Sequence, residues 1–278
     1  MKDIIWQAHF PFLRLIGAGV RSFLQGQTTA DVLKVAKGDY VRCCWLTRSA
    51  GVKCLIEILF NNEGADVLVL SGDINELFEG LNSVLFPADK VEIELINKTT
   101  RIQKLSFEKS WKKTAVKWIY KNEYLPEVFK FSHIATAQEI DKWKTLQGIP
   151  FNDSEINGRN NPFELGLADL ISFDKGCYLG QETVARLIRT DSVKKKLRYW
   201  ESEKIITGNK KLIKSGNINP KKHQIAGSIS FVRNLESGKS FGFAIVRSDF
   251  LKEEFLLTLE DSIRINIKLP IGFSEVKS

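Results

Sequence analysis

The stretch Phe173-Asp174-Lys175-Gly176-Cys177-Tyr178-Leu179-Gly180-Gln181-Glu182 packs two glycines, a cysteine, a lysine, an amide and a carboxylate into ten residues. Gly176 and Gly180 can take φ > 0 or let another backbone approach closely, so the stretch reads as a loop bent around Cys177 and Tyr178. From Gln181 to Arg189, the apolar Val184, Leu187 and Ile188 fall on one face at helical spacing. That spacing predicts a short helix whose start lies beside the cysteine. A thiol near a helix N-terminus and a lysine feels positive potential from both, which makes thiolate chemistry available. The plainer reading of Cys177 is a small buried hydrophobe.

Outward from that loop, residues 152 to 164 are dense in Asn, Asp, Ser, Gly and Pro and read as an irregular lead-in. Ala137 to Leu146 carries Ile140, Trp143 and Leu146 as a packed helical stripe, with Thr136 and Glu139 as a reciprocal cap and Gly148 as the stop. Tyr40 to Leu46, Val52 to Phe60 and Asp66 to Leu70 predict an antiparallel meander. Ile74 to Leu85 has a helical period that Pro87 ends, and Val91 to Ile96 and Arg101 to Phe107 resume strand character. Phe10 to Ile16 predicts a strand. A helix is expected over Arg21 to Gln25, interrupted by Gly26, with Thr28 or Thr29 capping a second one through Asp31 and Leu33. Gly17-Ala18-Gly19 lacks the third glycine of a dinucleotide-binding loop.

Strands and helices that do not strictly alternate argue for an α+β body with antiparallel sheet over residues 1–192. In residues 193–278, short apolar runs at Leu197 to Trp200, Ile225 to Phe231, Phe241 to Val246, Phe255 to Leu259 and Ile263 to Leu269 predict a small antiparallel barrel.

With 278 residues, 43% hydrophobic and 27% charged, the chain has room for two or three compact units of an ordinary globular protein. Asp3, His9 and Arg14 interrupt the N-terminal apolar residues, which speaks against a secretory leader, and no stretch approaches membrane-spanning length. Cys43, Cys44, Cys54 and Cys177 form no C-x-x-C pair, which fits a reducing cytoplasm. On a strand, Cys43 and Cys44 would point to opposite faces, so no metal site is expected. Three histidines, His9, His133 and His223, and no G-x-S-x-G give a hydrolase triad no support. The formal charge is +8, and residues 175 to 223 hold 13 Lys or Arg against four Asp or Glu. A basic strip over 194–222, from Lys194-Lys195-Lys196 through Lys210-Lys211 to Lys221-Lys222, could attract tRNA phosphates or a polyanionic ligand tail; the plain alternative is a solvated face.

Lys175-Gly176-Cys177-Tyr178-Leu179-Gly180-Gln181-Glu182 resembles the K-G-C-[FY]-x-G-Q-E signature of the YgfZ family, folate-binding relatives of the glycine-cleavage T-protein (GcvT). Pro162-Phe163-Glu164 resembles the family's P-x-E, Gly148-Ile149-Pro150 its G-I-P, and Thr183-Val184-Ala185-Arg186 the continuation of its signature helix. Phe23-Leu24-Gln25-Gly26-Gln27-Thr28-Thr29-Ala30-Asp31 is similar to its F-L-Q-G-Q-x-T-x-D. The resemblance implies two interleaved α+β lobes with antiparallel sheets, plus a C-terminal antiparallel β-barrel, around a central folate channel. It also implies a cytoplasmic accessory protein that uses tetrahydrofolate in making or repairing iron–sulfur enzymes, including ones that modify tRNA. A monomer with no membrane partner is expected.

On that reading Cys177 is a thiol used in one-carbon, sulfur or redox chemistry, and Lys175 the cation that favours its thiolate. Gln181, Glu182 and Glu164 would belong to the cofactor site, although Glu182 could equally satisfy backbone N–H groups in the first helical turn. Tyr178 would stack on the pterin or fill the underside of the loop. Arg186, one turn from Arg189, would hold a folate carboxylate. Two departures from the T-protein pattern matter. Its G-G-x-x-D-D segment reads Gly51-Val52-Lys53-Cys54-Leu55-Ile56 here, and Leu146 stands where its R-x-E-x-G has a pterin-binding glutamate. Both weigh against the first alternative, a T-protein-like aminomethyltransferase, which is the activity expected if the chain is an enzyme. The second alternative is a basic RNA- or protein-binding module without folate.

Overall fold

The computed structural model describes residues 3–120, 123–130, 132–190, 192–214 and 224–276. Ile4–Ile16 (β1) leads through the glycine turn into Val20–Gln27 (α1). Tyr40–Leu46 (β2), Val52–Phe60 (β3) and Gly64–Ser71 (β4) form the antiparallel meander that their alternation predicts. Ile74–Asn82 (α2) starts at Asp73, whose carboxylate accepts from the Asn75 amide. Glu92–Lys104 (β5), Val116–Ile119 (β6) and the two-residue His133–Ile134 (β7) follow. Ala137–Gln147 (α3) has the predicted Thr136/Glu139 capping box and ends at Gly148 with φ 72°, a left-handed stop that glycine takes without strain. Gln181–Arg189 (α4) lies where the signature predicts a helix.

Strands β2-β3-β4-β1-β5-β6 form one sheet in that order, with β7 parallel to β1 as a seventh strand. The two expected lobes therefore share a single sheet. Alternation sorts its side chains onto two faces. On one, Leu13, Cys43, Ile56, Ile58 and Val67 pack against Phe23, Leu24, Leu77 and Leu81 of α1 and α2. On the other, Phe12, Cys44, Leu55 and Leu68 join Trp118, Trp143 and Tyr178 in a core that continues into the C-terminal part through Leu197 and Phe243. Cys43 and Cys44 do face opposite ways.

That second face also buries an ion cluster. Glu57 accepts from Arg42 Nε (2.7 Å), from Arg101 Nε and Nη2 (2.8 Å each) and from Trp118 Nε1 (3.1 Å). Burial by itself would push the carboxyl up. The charges and hydrogen bonds of Arg101 and Arg42 outweigh it and hold the group down at about 2.

The C-terminal part is a closed six-stranded barrel. Its strands are Lys195–Ser202 (β8), Lys211–Ile213 (β9), Ile225–Asn234 (β10), Ser240–Arg247 (β11), Phe255–Thr258 (β12) and Arg264–Lys268 (β13). Trp200, Leu212, Ile229, Leu256 and Ile265 fill it.

Three expectations are corrected. Gly26 does not interrupt α1; the helix stops at Thr28, whose amide and hydroxyl both donate to the Leu24 carbonyl. No second helix follows, only a 3₁₀ turn at Val32–Lys34, because Thr29 pairs with Cys44 of β2 and holds that segment extended. β5 runs unbroken through the polar Thr99 and Thr100, since both pair with β1 beside a register shift at Phe10 to Phe12.

Candidate functional site

The signature loop is fastened across the end of α1. Ser172 N donates to Thr29 O (2.8 Å) and Leu179 N to Gly26 O (3.1 Å), while Thr29 Oγ1 donates to Leu170 O (2.7 Å). Lys175 Nζ donates to the carbonyls of Thr28 (2.7 Å) and Ala30 (2.6 Å) and lies 5.1 Å from the Tyr178 ring centre. Burial pushes its ammonium down to about 8, against the opposing pull of Cys43 and Asp31. Lys175 is thus a clamp between the signature and the Phe23-to-Asp31 block. Its hydrogen bonds go to those two carbonyls.

Gly180 precedes α4 with φ +86°, and a Cβ there would stand 2.7 Å from the Thr47 carbonyl oxygen. The turn requires glycine on both counts. Gly176 does not: its φ is not left-handed, and nothing lies within 4 Å of where a Cβ would be. Beyond these turns Cys177, alone of the four cysteines, is exposed. It lines a groove of 650 Å³ between Gly26 and Gln27 of α1, Gly80, Ser83 and Val84 at the end of α2, and Arg48 of the β2–β3 turn. Trp45 also lines it; the ring is 6% exposed and its Nε1 is buried without a hydrogen-bond partner.

Cys177, Tyr178, Gln181 and Glu182 all border this groove. Tyr178 is buried in the core beneath the loop, which pushes its phenol up to about 12, with Cys44 adding to the shift. With Gln181 it also borders a smaller cavity of 430 Å³ lined by Phe173, Val184, Ile188 and Arg189. Arg186 is exposed and lines neither cavity. Glu164 lies apart as well. Its Oε2 accepts from Asn161 N (2.9 Å), Asn161 Oδ1 accepts from the amides of Phe163 and Glu164, and the Glu164 carbonyl accepts from Leu197 N of β8 (2.7 Å). Its carboxyl, pushed up by burial, closes a turn.

The remaining thiols are inert by position: burial pushes Cys43 and Cys54 up to about 12 and raises Cys44 as well. Among the described residues no group of three or more His, Cys, Asp or Glu is placed to hold a metal. The basic strip is not one open face. Lys196 pairs with Glu275, Lys210 with Asp261 and Lys214 with Glu253, and Arg198 is buried over Phe273. Lys221, Lys222 and His223 lie outside the described residues. Where the T-protein's two aspartates would stand, Leu55 and Ile56 are buried on opposite faces of the sheet, and Leu146 is half-buried. Gln27, Trp45 and Arg48 were not foreseen as site residues; the only signal for the first was the similarity of the Phe23-to-Asp31 block.

No family model matches the chain. The glycine cleavage system aminomethyltransferase T of Bartonella henselae has a similar solved structure, with a TM-score of 0.73 over 99% of this chain and 88% of that one, at 10% identity. The class is therefore the T-protein fold, an α+β body carrying an antiparallel barrel. Within it the chain is a relative of the YgfZ proteins. It is 25% identical over 292 aligned positions to the tRNA-modifying protein YgfZ of Aliivibrio fischeri (strain MJ11), covering 95% of this chain and 90% of that protein. It is also 26% identical over 232 positions to a chloroplastic Arabidopsis thaliana protein with a provisional transferase name. That match covers 68% of this chain, which spans about half (54%) of that relative's length. No helix among the described residues is long and apolar enough to cross a membrane.

Proposed function

We propose that the protein is a YgfZ-type accessory factor for tRNA modification that works through the groove around Cys177, with a folate derivative as ligand and iron–sulfur enzymes as clients. One observation carries this reading: the stretch most like the YgfZ signature sets the only exposed cysteine in a groove of 650 Å³, a volume that suits a folate-sized molecule. The groove residues fit such a ligand in kind. Gln27 and Gln181 offer amides to a pterin edge, Trp45 an indole N–H without a partner, and Arg48 a cation for a glutamate carboxylate. A tetrahydrofolate held there would supply one-carbon chemistry beside the thiol. The α4 N-terminus adds partial positive charge at the same end, where a ligand anion would be stabilised.

T-protein-like aminomethyl transfer is the weaker reading, because the carboxylates expected at Leu55 and Ile56 and at Leu146 are missing. The basic-module reading loses support from the ion pairs that divide the strip.

The test is complementation in a bacterium deprived of its own YgfZ protein, reading modified tRNA nucleosides by mass spectrometry. Wild type should restore them and Cys177→Ser should not; full restoration by the serine variant removes the thiol from the proposal. In parallel, calorimetric titration with tetrahydrofolate and its glutamylated forms should show binding that weakens in Gln181→Ala and Arg48→Ala. No heat and no thermal shift with any folate would remove the ligand.

A further inference from the structure

A second cavity, of 540 Å³, opens at the other end of β3, beside Leu59 and Phe60. The signature groove borders the turn at the start of that strand, so the two sites are about 25 Å apart at the rise of an extended chain.

Its base is an anchored ionic pair. Asp66 is 1% exposed. Its Oδ1 accepts from Arg14 Nε (2.9 Å), and its Oδ2 accepts from Arg14 Nη2 (3.2 Å) and from the Tyr120 hydroxyl (2.7 Å). This network fixes the Arg14 guanidinium and the Tyr120 ring, and Arg14 Nη1 has no hydrogen-bond partner among the described residues, on a side chain that is 32% exposed. Lys37 and Lys117 line the same cavity, are exposed, and make no ion pair among the described residues. Among the described residues that line the cavity, Glu123 is the one acid besides Asp66, and its Oε2 accepts from the Tyr120 amide. Tyr40, Trp118 and Tyr120 bring three aromatic rings to this positively charged space.

Each half of that lining selects something. A bare phosphate has no use for three rings, and a neutral aromatic has no use for three cations. Aromatic side chains beside lysines and an arginine are the combination that takes a base by stacking and a phosphate by charge. We propose that this cavity binds a nucleoside monophosphate, its base against the Tyr40 and Tyr120 rings and its phosphate at Lys37, Lys117 and Arg14. A free nucleotide and an unpaired nucleotide of an RNA present the same chemistry.

The experiment is calorimetric titration of the whole chain with AMP, GMP, CMP and UMP at low and high salt, beside the nucleosides, inorganic phosphate, 4-hydroxybenzoate and a short single-stranded RNA. At least one monophosphate should saturate a single site, bind about tenfold or more tighter than its nucleoside or phosphate, and weaken with salt. The double variant Lys37→Ala/Lys117→Ala, which changes only exposed side chains, should lose about tenfold in affinity, and Tyr40→Leu should lose affinity as well. RNA that competes with the bound monophosphate makes an RNA nucleotide the ligand; RNA that does not compete makes it a free nucleotide. No saturable binding, affinity unmoved by the double lysine variant, or 4-hydroxybenzoate binding as tightly would overturn the proposal. Cys177→Ser should bind the monophosphate like wild type, so this site and the thiol groove stand or fall separately.

Discussion

The inner face of the sheet and the seam between the 152–164 loop and the barrel each bury a glutamate completely, yet the two carboxyls end in opposite states. Glu57 stands directly across from Arg42 on the neighbouring strand and within reach of Arg101, and is held down at about 2. Glu155 has its Oε2 near the Asn152 amide (3.3 Å) and its Oε1 without a partner. Ser230 Oγ of β10 and Asn152 Nδ2 are near enough to favour its charge slightly, but each is also left without a well-formed hydrogen bond. No cation is among the groups acting on it, and burial pushes it up to about 7. Depth alone gives both groups the same push; what differs is whether the fold brings a guanidinium along.

The largest expected effect tests the paired site. Glu57→Gln leaves Arg42 and Arg101 buried with no opposing charge, and the loss in unfolding free energy should be about 3–5 kcal/mol at pH 7, measured by urea denaturation. Because the folded carboxyl is depressed, its contribution is present above the ordinary carboxylate range and fades as pH falls toward about 2. A loss below about 1 kcal/mol, the range of an exposed ion pair, would mean that the arginines find other partners and that the cluster does not hold the sheet.

The unpaired site should respond with the opposite sign. A carboxyl raised to about 7 favours folding at pH values below its ordinary range, and that benefit disappears as pH rises through about 7. The swing is on the order of 3 kcal/mol. Glu155→Gln keeps the shape without the charge, so it should match wild type near pH 5 and be the more stable protein near pH 8.5. Thermal unfolding across that range checks it. Parallel curves for the two proteins would show that Ser230 and Asn152 close on the carboxylate better than their positions allow, and the contrast with Glu57 would collapse.

Much of the fold could be read from local pattern. β2 and β3 have the predicted ends because their strands are long, apolar and bounded by turns, and the start of α3 follows from two side chains three residues apart. The unread parts depend on distant partners. The three residues of β9 sit among lysines and make a strand only because β10 and β12 flank them. Glu57 is an odd charge in an apolar strand until Arg101, 44 residues away, folds onto it. At the signature the ingredients were visible but not their directions. Lys175 and Cys177 are two residues apart, and one faces the carbonyls of Thr28 and Ala30 just past α1 while the other is exposed. Spacing along an irregular loop sets no common face, so their adjacency in sequence did not reveal the clamp that Lys175 makes.

The smallest effect separates the two signature glycines, which look alike in sequence. Gly180→Ala forces a side chain into the left-handed region and against the Thr47 carbonyl, in a turn already pinned by the bond from Leu179 to Gly26. The expected loss is about 1–3 kcal/mol. Gly176→Ala adds a methyl group to open space at an ordinary φ and should change stability by no more than about 0.5 kcal/mol. Alkylation of Cys177 by iodoacetamide supplies the functional readout. A shifted turn alters the groove wall and should change the rate in Gly180→Ala, while Gly176→Ala should react as wild type does. Equal rates in both, with the stability loss confined to Gly180→Ala, would show that the turn holds the helix without positioning the thiol, leaving the walls of α1 and α2 to shape the groove.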